Sequence, residues 1–197
     1  MDQRKLIVWD LDDVLNEFTR DWLQLAWKDE HPECESAYDD LHTNPPLQAL
    51  GTTLPEYLES MSRFRLSIEG ATSTPNWTVH EWFKEHGSRF RHTVLTARRG
   101  QSAVVADAWL KVNFGQWIDG IHSAPEARPQ HFLSDIARKK ADWIRHSGAT
   151  VFVDDSQLNM ETAAAAGIRS LLFPQPWNYR AISFAQQDVL DELTRLA

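Results

Sequence analysis

Five short segments dominated by apolar residues punctuate the chain: Lys5 to Trp9, His92 to Leu95, Trp117 to Ile121, Thr150 to Val153 and Arg169 to Phe173. A strand exposed on one face alternates apolar and polar side chains, whereas one that is apolar throughout is covered on both faces, as in a parallel sheet. Between the later segments lie helical patterns, Ser102 to Asn113, Phe132 to His146 and Leu158 to Ala166, and Gly148 and Gly167 stand where the last two must stop. A further amphipathic helix is expected from about Ala181 to Leu196. Regular alternation of strand and helix predicts an α/β fold, a doubly wound parallel sheet.

Residues 17–89 break this rhythm. They hold an aromatic helical stretch (Phe18, Trp22, Leu25, Ala26), an acidic piece around Asn44-Pro45-Pro46, and helical patterns over Leu54 to Phe64 and Val79 to His86. With no strand of the sheet type there, the segment reads as a small helical cap inserted after the first strand. The core is then 1–16 with 90–197, and the cap is 17–89. A cap in that position sits over the carboxyl edge of the sheet, where ligands bind in open α/β folds.

At 197 residues the chain suffices for one domain with such an insertion. Its net charge of -8, with Lys and Arg scattered, excludes a nucleic-acid polymer as partner but leaves room for a small phosphorylated molecule held with the help of a cation. No apolar stretch is long enough for a signal-peptide core or a membrane span. The single cysteine, Cys34, cannot form an internal disulfide, which suits a reducing cytoplasm and makes the Asn76-Trp77-Thr78 sequon a chance match. Nothing in the sequence specifies an oligomeric state.

Polar residues cluster where strands end. Asp10-Leu11-Asp12-Asp13 follows the first, Thr96 the second, and Asp154-Asp155 the fourth, while Lys139 and Lys140 lie in the helix before that fourth strand. In a parallel sheet these ends share one edge, which brings Asp10, Asp12, Thr96 and Asp154 around one small volume. An isolated group of this kind is ordinarily a capped polar turn. Several carboxylates in one partly buried site, however, repel and require a counter-charge. A few carboxylate oxygens, completed by water and a substrate phosphate, suit Mg2+.

In this order, Asp-x-Asp, insertion, Thr, Lys, Asp-Asp, the chain resembles the haloacid dehalogenase superfamily of phosphohydrolases. All four of its motifs have counterparts here: Asp10-Leu11-Asp12, Thr96, a lysine at 139 or 140, and Asp154-Asp155. The resemblance implies a Rossmann-like core and an Asp10 nucleophile forming an aspartyl-phosphate. Asp12 would serve as acid and then base, and Asp10, the Asp12 carbonyl and Asp154 would hold Mg2+. Thr96, Ala97 and the lysine would bind phosphate, and Asp155 would orient the lysine or a metal-bound water. Lys140 is preferred to Lys139 because Trp143 and Ile144, three and four residues on, mark the buried face of its helix. Asp13 stands where the superfamily more often has glycine.

The Thr96-Ala97-Arg98 form, the paired aspartates and the Phe173-Pro174-Gln175-Pro176-Trp177-Asn178 stretch are similar to the 5′(3′)-deoxyribonucleotidase branch. That implies nucleoside monophosphate substrates, with Phe18, Trp22 or Phe64 stacking on a base. The alternatives are a phosphatase of a sugar phosphate or other small phosphometabolite, and a non-catalytic metal-binding regulatory module. His80 and His86, six apart, fall on different helix faces and cannot share a metal. The chain has neither a glycine-rich phosphate loop nor a GxSxG elbow.

Overall fold

The computed structural model describes residues 3–124, 132–178 and 185–197. Its centre is a five-stranded parallel sheet of β1 (Leu6–Trp9), β2 (Arg91–Thr96), β3 (Ile118–Ser123), β4 (Val151–Asp154) and β5 (Ser170–Leu172), in the order 3-2-1-4-5. Because side chains alternate across a strand, the all-apolar β1 feeds two cores. Ile7 and Trp9 enter one with Val94, Val151 and Val153, while Leu6 and Val8 enter the other with Leu95 and Phe152. The first face is covered by α6 (Trp77–His86), α7 (Gln101–Phe114) and α10 (Gln186–Thr194), the second by α8 (Phe132–Ser147) and α9 (Gln157–Ala165). Gly148 and Gly167 have φ of 74° and 79°, the left-handed conformation that ends a helix without a Cβ penalty. The last helix begins at Gln186, and the expected start at 181–184 lies outside the described residues.

The insertion folds around a core of its own. Helix α1 (Phe18–Trp22) continues through a π-helical turn (Leu23–Trp27) into α2 (Lys28–Glu30), followed by α3 (Leu47–Leu50), α4 (Leu54–Phe64) and α5 (Ile68–Ala71). Phe18, Trp22, Leu23, Trp27, Tyr38, Leu41, Tyr57, Met61 and Phe64 pack together there. The Trp22 indole donates to Ser60 Oγ at 3.0 Å, and that hydroxyl donates to Glu30 at 3.0 Å, whereas the buried Trp27 indole nitrogen has no hydrogen-bond partner. Gly70 passes so close to the end of α4 that an added Cβ would lie 1.9 Å from the Phe64 carbonyl oxygen.

Helix α6 lay within the insertion on sequence grounds, yet Val79, Trp82 and Phe83 pack with Ile7, Trp9 and Val94 against the sheet. Their i, i+3, i+4 spacing makes one apolar stripe, and the nearest large apolar surface is the sheet rather than the cap. Asn76 is the buried N-cap of α6, its side chain accepting from the Val79 amide, so the sequon asparagine is engaged inside the fold.

Candidate active site

Strand register assembles the acidic cluster. Trp9 pairs with Val153, and the Asp10 amide donates to the Val153 carbonyl at 2.8 Å, so the next residues on the two strands, Asp10 and Asp154, emerge side by side. Oxygens of Asp10, Asp154 and Asp155 all lie within 4.8 Å of one another. The cation that balances them is Lys140, whose Nζ lies 2.8 Å from both Asp10 Oδ1 and Asp154 Oδ2. It gets there because Ile136, Ala137, Lys140, Ala141 and Ile144 form the buried stripe of α8. Lys139 instead lines a surface hollow with Asp142 and Trp143.

Burial dominates the electrostatics. It pushes the Asp10 carboxyl up to about 7 against the pull of the Lys140 ammonium, with the Asp154 charge adding to the rise. Burial also lifts Asp155 well above the carboxylate range, reinforced by Asp154 and Asp13. For Lys140, burial favours the neutral amine, but the Asp10 and Asp154 carboxylates outweigh it and hold the ammonium charged. Asp154 is further fixed by the Ser156 amide at 2.8 Å and by Asn159 Nδ2 at 3.0 Å to each oxygen.

Asp12 points elsewhere. Its carboxylate accepts from Arg98 Nε at 3.1 Å to both oxygens and from Arg98 Nη2 at 2.6 Å, while Asn16 Nδ2 donates at 3.4 Å. Arg65, just after α4 in the cap, stands 3.6 Å from the same carboxylate. Burial alone would raise the Asp12 pKa, but the Arg98 and Arg65 guanidiniums overcome it, and the net shift is downward. Its side chain is therefore outside the three-carboxylate group, which leaves only its backbone carbonyl to serve a metal. The Thr96 hydroxyl is buried and accepts from the Arg98 amide at 3.1 Å, and Ala97 is half-buried beside it.

Asp13 acquires a structural role. Its φ of 63° is the conformation glycine adopts most readily, and its carboxylate accepts from the Thr19 amide at 2.8 Å and the Thr19 hydroxyl at 2.6 Å, at the start of α1. It thus ties the loop after β1 to the cap. Asp155 accepts from the Trp177 indole at 2.8 Å rather than from Lys140, and Asn178 donates to the Asp155 carbonyl at 2.6 Å. The Pro-Trp-Asn stretch therefore braces the second aspartate.

Arg65, Asn16, Asn159 and Trp177 were not singled out for these contacts from sequence; Arg98 and Trp177 were visible only as parts of longer motifs. The aromatic candidates for base stacking are not available. Phe18, Trp22 and Phe64 are buried in the cap core, and Phe18 lies under the guanidiniums of Arg98 and Arg65 at 4.4 and 5.2 Å. A hollow of about 400 Å³ lined by Arg20, Tyr38, His42 and Gln175 opens between the cap and the Pro174–Pro176 loop, without any of the clustered carboxylates in its wall. Among the described residues no helix is long and apolar enough to cross a membrane.

The donor set fits a magnesium ion: three buried carboxylates with converging oxygens, no nitrogen or sulfur ligand among them, and one ammonium as their nearest counter-charge.

The chain matches no family model and no curated protein. Among solved structures, it is similar over 100% of both chains to a haloacid dehalogenase-like family hydrolase from Streptococcus pneumoniae, with 15% identity and a TM-score of 0.58. Protein tyrosine kinase A from Mycobacterium tuberculosis aligns over 87% of this chain and 84% of its own, with 17% identity and a TM-score of 0.62. A 2-haloacid dehalogenase from Pseudomonas syringae aligns over 99% of this chain and 100% of its own, with 17% identity and a TM-score of 0.50. One architecture here carries a hydrolase, a kinase and a dehalogenase by name, so chemistry must be argued from the site. What these likenesses establish is that the chain has the haloacid dehalogenase-like α/β fold.

Proposed function

We propose that the protein is a Mg2+-dependent phosphomonoester hydrolase that works through an aspartyl-phosphate on Asp10. The observation that carries this reading is the Lys140 ammonium held 2.8 Å from both Asp10 and Asp154 within a buried carboxylate cluster. Asp10, the Asp12 carbonyl and Asp154 would hold the metal, which when bound supplies positive charge to the phosphoryl oxygens and offsets the crowded carboxylates.

An Asp10 oxygen attacks phosphorus as the ester P–O bond breaks, and the electron pair leaves on the substrate oxygen. Asp12 delivers a proton to that oxygen, so the product departs as an alcohol. In the second half Asp12 takes a proton from water, whose oxygen attacks the aspartyl-phosphate and returns Asp10 as a carboxylate. Lys140 and the Thr96 hydroxyl stabilise the phosphoryl group, and the Ala97 amide would donate to it. Asp12 is held ionised by Arg98 in the ligand-free state, which prepares it for the base half; the acid half requires that pairing to loosen.

A dehalogenase reading fits less well. A departing halide needs no proton and no metal, so Asp12 would have no proton to transfer and the convergence of Asp155 on Asp10 and Asp154 no ion to serve. A non-catalytic metal-binding module would use Asp12 only as the partner of Arg98 and Arg65, with no proton to transfer.

Within phosphomonoesters, nucleoside monophosphates are the favoured class, supported by the Thr96-Ala97-Arg98 form and by the bracing of Asp155 by Trp177 and Asn178. Sugar phosphates and other small phosphometabolites are the second. The test is release of p-nitrophenol from p-nitrophenyl phosphate with and without Mg2+, followed by a panel of nucleoside 5′ and 3′ monophosphates and sugar phosphates. Mg2+-dependent turnover abolished by Asp10→Asn is expected. No turnover, or turnover undiminished in Asp10→Asn, removes the hydrolase reading, and equal rates across the panel remove the nucleotide preference.

A further inference from the structure

Beside the acidic cluster the charges do not balance on the cap side. Two guanidiniums, Arg65 and Arg98, share the single carboxylate of Asp12. Arg98 satisfies itself: its side chain is buried, and it makes a forked contact of 2.6 to 3.1 Å. Arg65 does not. It approaches Asp12 only to 3.6 Å, beyond hydrogen-bonding distance, and its buried Nε has no hydrogen-bond partner.

A guanidinium donor left without an acceptor in a partly buried place costs free energy that an acceptor would recover, and the Arg65 side chain, 26% exposed, is open to one. The position of Arg65 also matters. It follows the last turn of α4, lies over the Phe18 ring and approaches Asp12, whereas Lys140 contacts Asp10 and Asp154. The transferring phosphoryl group belongs beside Asp10 and Lys140; what lies toward Asp12 is the leaving group, since Asp12 must reach its oxygen.

We propose that Arg65 and Arg98 bind a second anionic group, a carboxylate or a phosphate, carried on the leaving-group portion of the substrate. The planar forks of two arginines match such an oxyanion in geometry as well as charge. Its arrival supplies Arg65 with the acceptor it lacks and gives Arg98 an alternative to Asp12, freeing that side chain to face the departing oxygen. The inference rests on the hydrolase reading above and shifts its substrate class from simple monoesters, nucleoside monophosphates included, to esters that carry a second anion. Among nucleotides it selects one bearing a second phosphate; among other metabolites it selects a phosphorylated hydroxy acid.

Two matched pairs of esters test it, each with Mg2+ present. One pair is propyl phosphate against the phosphate ester of 3-hydroxypropanoate, which has a carboxylate in place of the terminal methyl. The other is deoxyadenosine 5′-monophosphate against deoxyadenosine 3′,5′-bisphosphate, which adds only a phosphate. The wild type is expected to show a kcat/KM roughly tenfold or more higher for the doubly anionic member of at least one pair, in keeping with a charge-assisted hydrogen bond. The pair that shows it tells which anion is read. Arg65→Gln, at a partly exposed position, is expected to bring that ratio close to one, and Arg65→Lys to restore part of it. Ratios near one for both pairs in the wild type, or a ratio undiminished in Arg65→Gln, overturn the second-anion site while leaving the hydrolase intact. Absence of turnover on all four esters overturns the hydrolase reading and this inference with it.

Discussion

Lys140→Met takes away the ammonium that separates two buried carboxylates while keeping a side chain of similar length. In the native structure Nζ lies 2.8 Å from Asp10 and 2.8 Å from Asp154, and the lysine side chain is 2% exposed. Breaking a buried ion pair by removing one partner costs about 3–5 kcal/mol, because the remaining charge is left uncompensated. For a chain of this size that corresponds to a fall in Tm of roughly 6–20 °C in metal-free buffer.

The loss should grow with pH. The Asp10 carboxyl is already pushed up to about 7, and without Lys140 it moves higher, above its unfolded value of 3.8. A carboxyl whose folded pKa is raised binds protons more readily in the native state, so raising the pH through that interval withdraws stability. At pH 6 the variant escapes part of the penalty by protonation; at pH 9 it escapes less. Adding Mg2+ should raise the Tm of the variant by more than that of the wild type, since the ion replaces the missing charge. Thermal melts followed by circular dichroism at pH 6, 7.5 and 9, with and without Mg2+, read all three effects. A variant that melts within about 2 °C of the wild type at every pH would refute the assignment of Lys140 as the counter-charge of the cluster.

Two other predictions concern residues outside the reacting group. His92 is buried, accepts from the Trp9 indole through Nδ1 at 3.1 Å and contacts the Gly87 carbonyl through Nε2 at 2.8 Å, and burial lowers its pKa from 6.5 to about 4. With the folded pKa below the unfolded one, stability is retained above pH 6.5 and lost as pH falls toward 4, by about 3 kcal/mol; urea unfolding across that range should show the loss, and His92→Gln should flatten it. Trp177→Phe keeps the ring against Tyr38 but removes the indole donor to Asp155, and should weaken Mg2+ binding roughly 10- to 100-fold by calorimetry. An unchanged affinity would show that the brace on Asp155 does not bear on the metal.

Much of the fold and part of the site were legible in the sequence, for different reasons. An all-apolar strand such as Leu6–Trp9 can only be an inner strand, and a carboxylate following it can only stand on the sheet edge, so Asp10 and Asp154 followed from topology without side-chain detail. Lys140 followed from helical periodicity. The contacts that cross from the cap did not, since an inserted segment carries no register to the sheet. Arg65 looks like any helix-terminal arginine until α4 is docked. The aromatic residues of α1 misled because a small lobe must bury its large rings to fold at all, and Phe18, Trp22 and Phe64 are consumed in doing so. Helix α6 carried an apolar stripe but no sign of which surface it would cover. Asp13 was opaque because its task depends on a positive φ and on Thr19, six residues away.

The central claim is that Asp10 becomes the phosphoryl acceptor beside a magnesium ion held with Asp154. Crystals soaked with MgCl2 and beryllofluoride measure this most directly, because the trifluoride mimics a phosphoryl group on a carboxylate. The account predicts beryllofluoride bound to an Asp10 oxygen, with Mg2+ contacting Asp10, the Asp12 carbonyl and Asp154. Crystals that take up neither, with Lys140 still bridging Asp10 and Asp154 at saturating Mg2+, would contradict it.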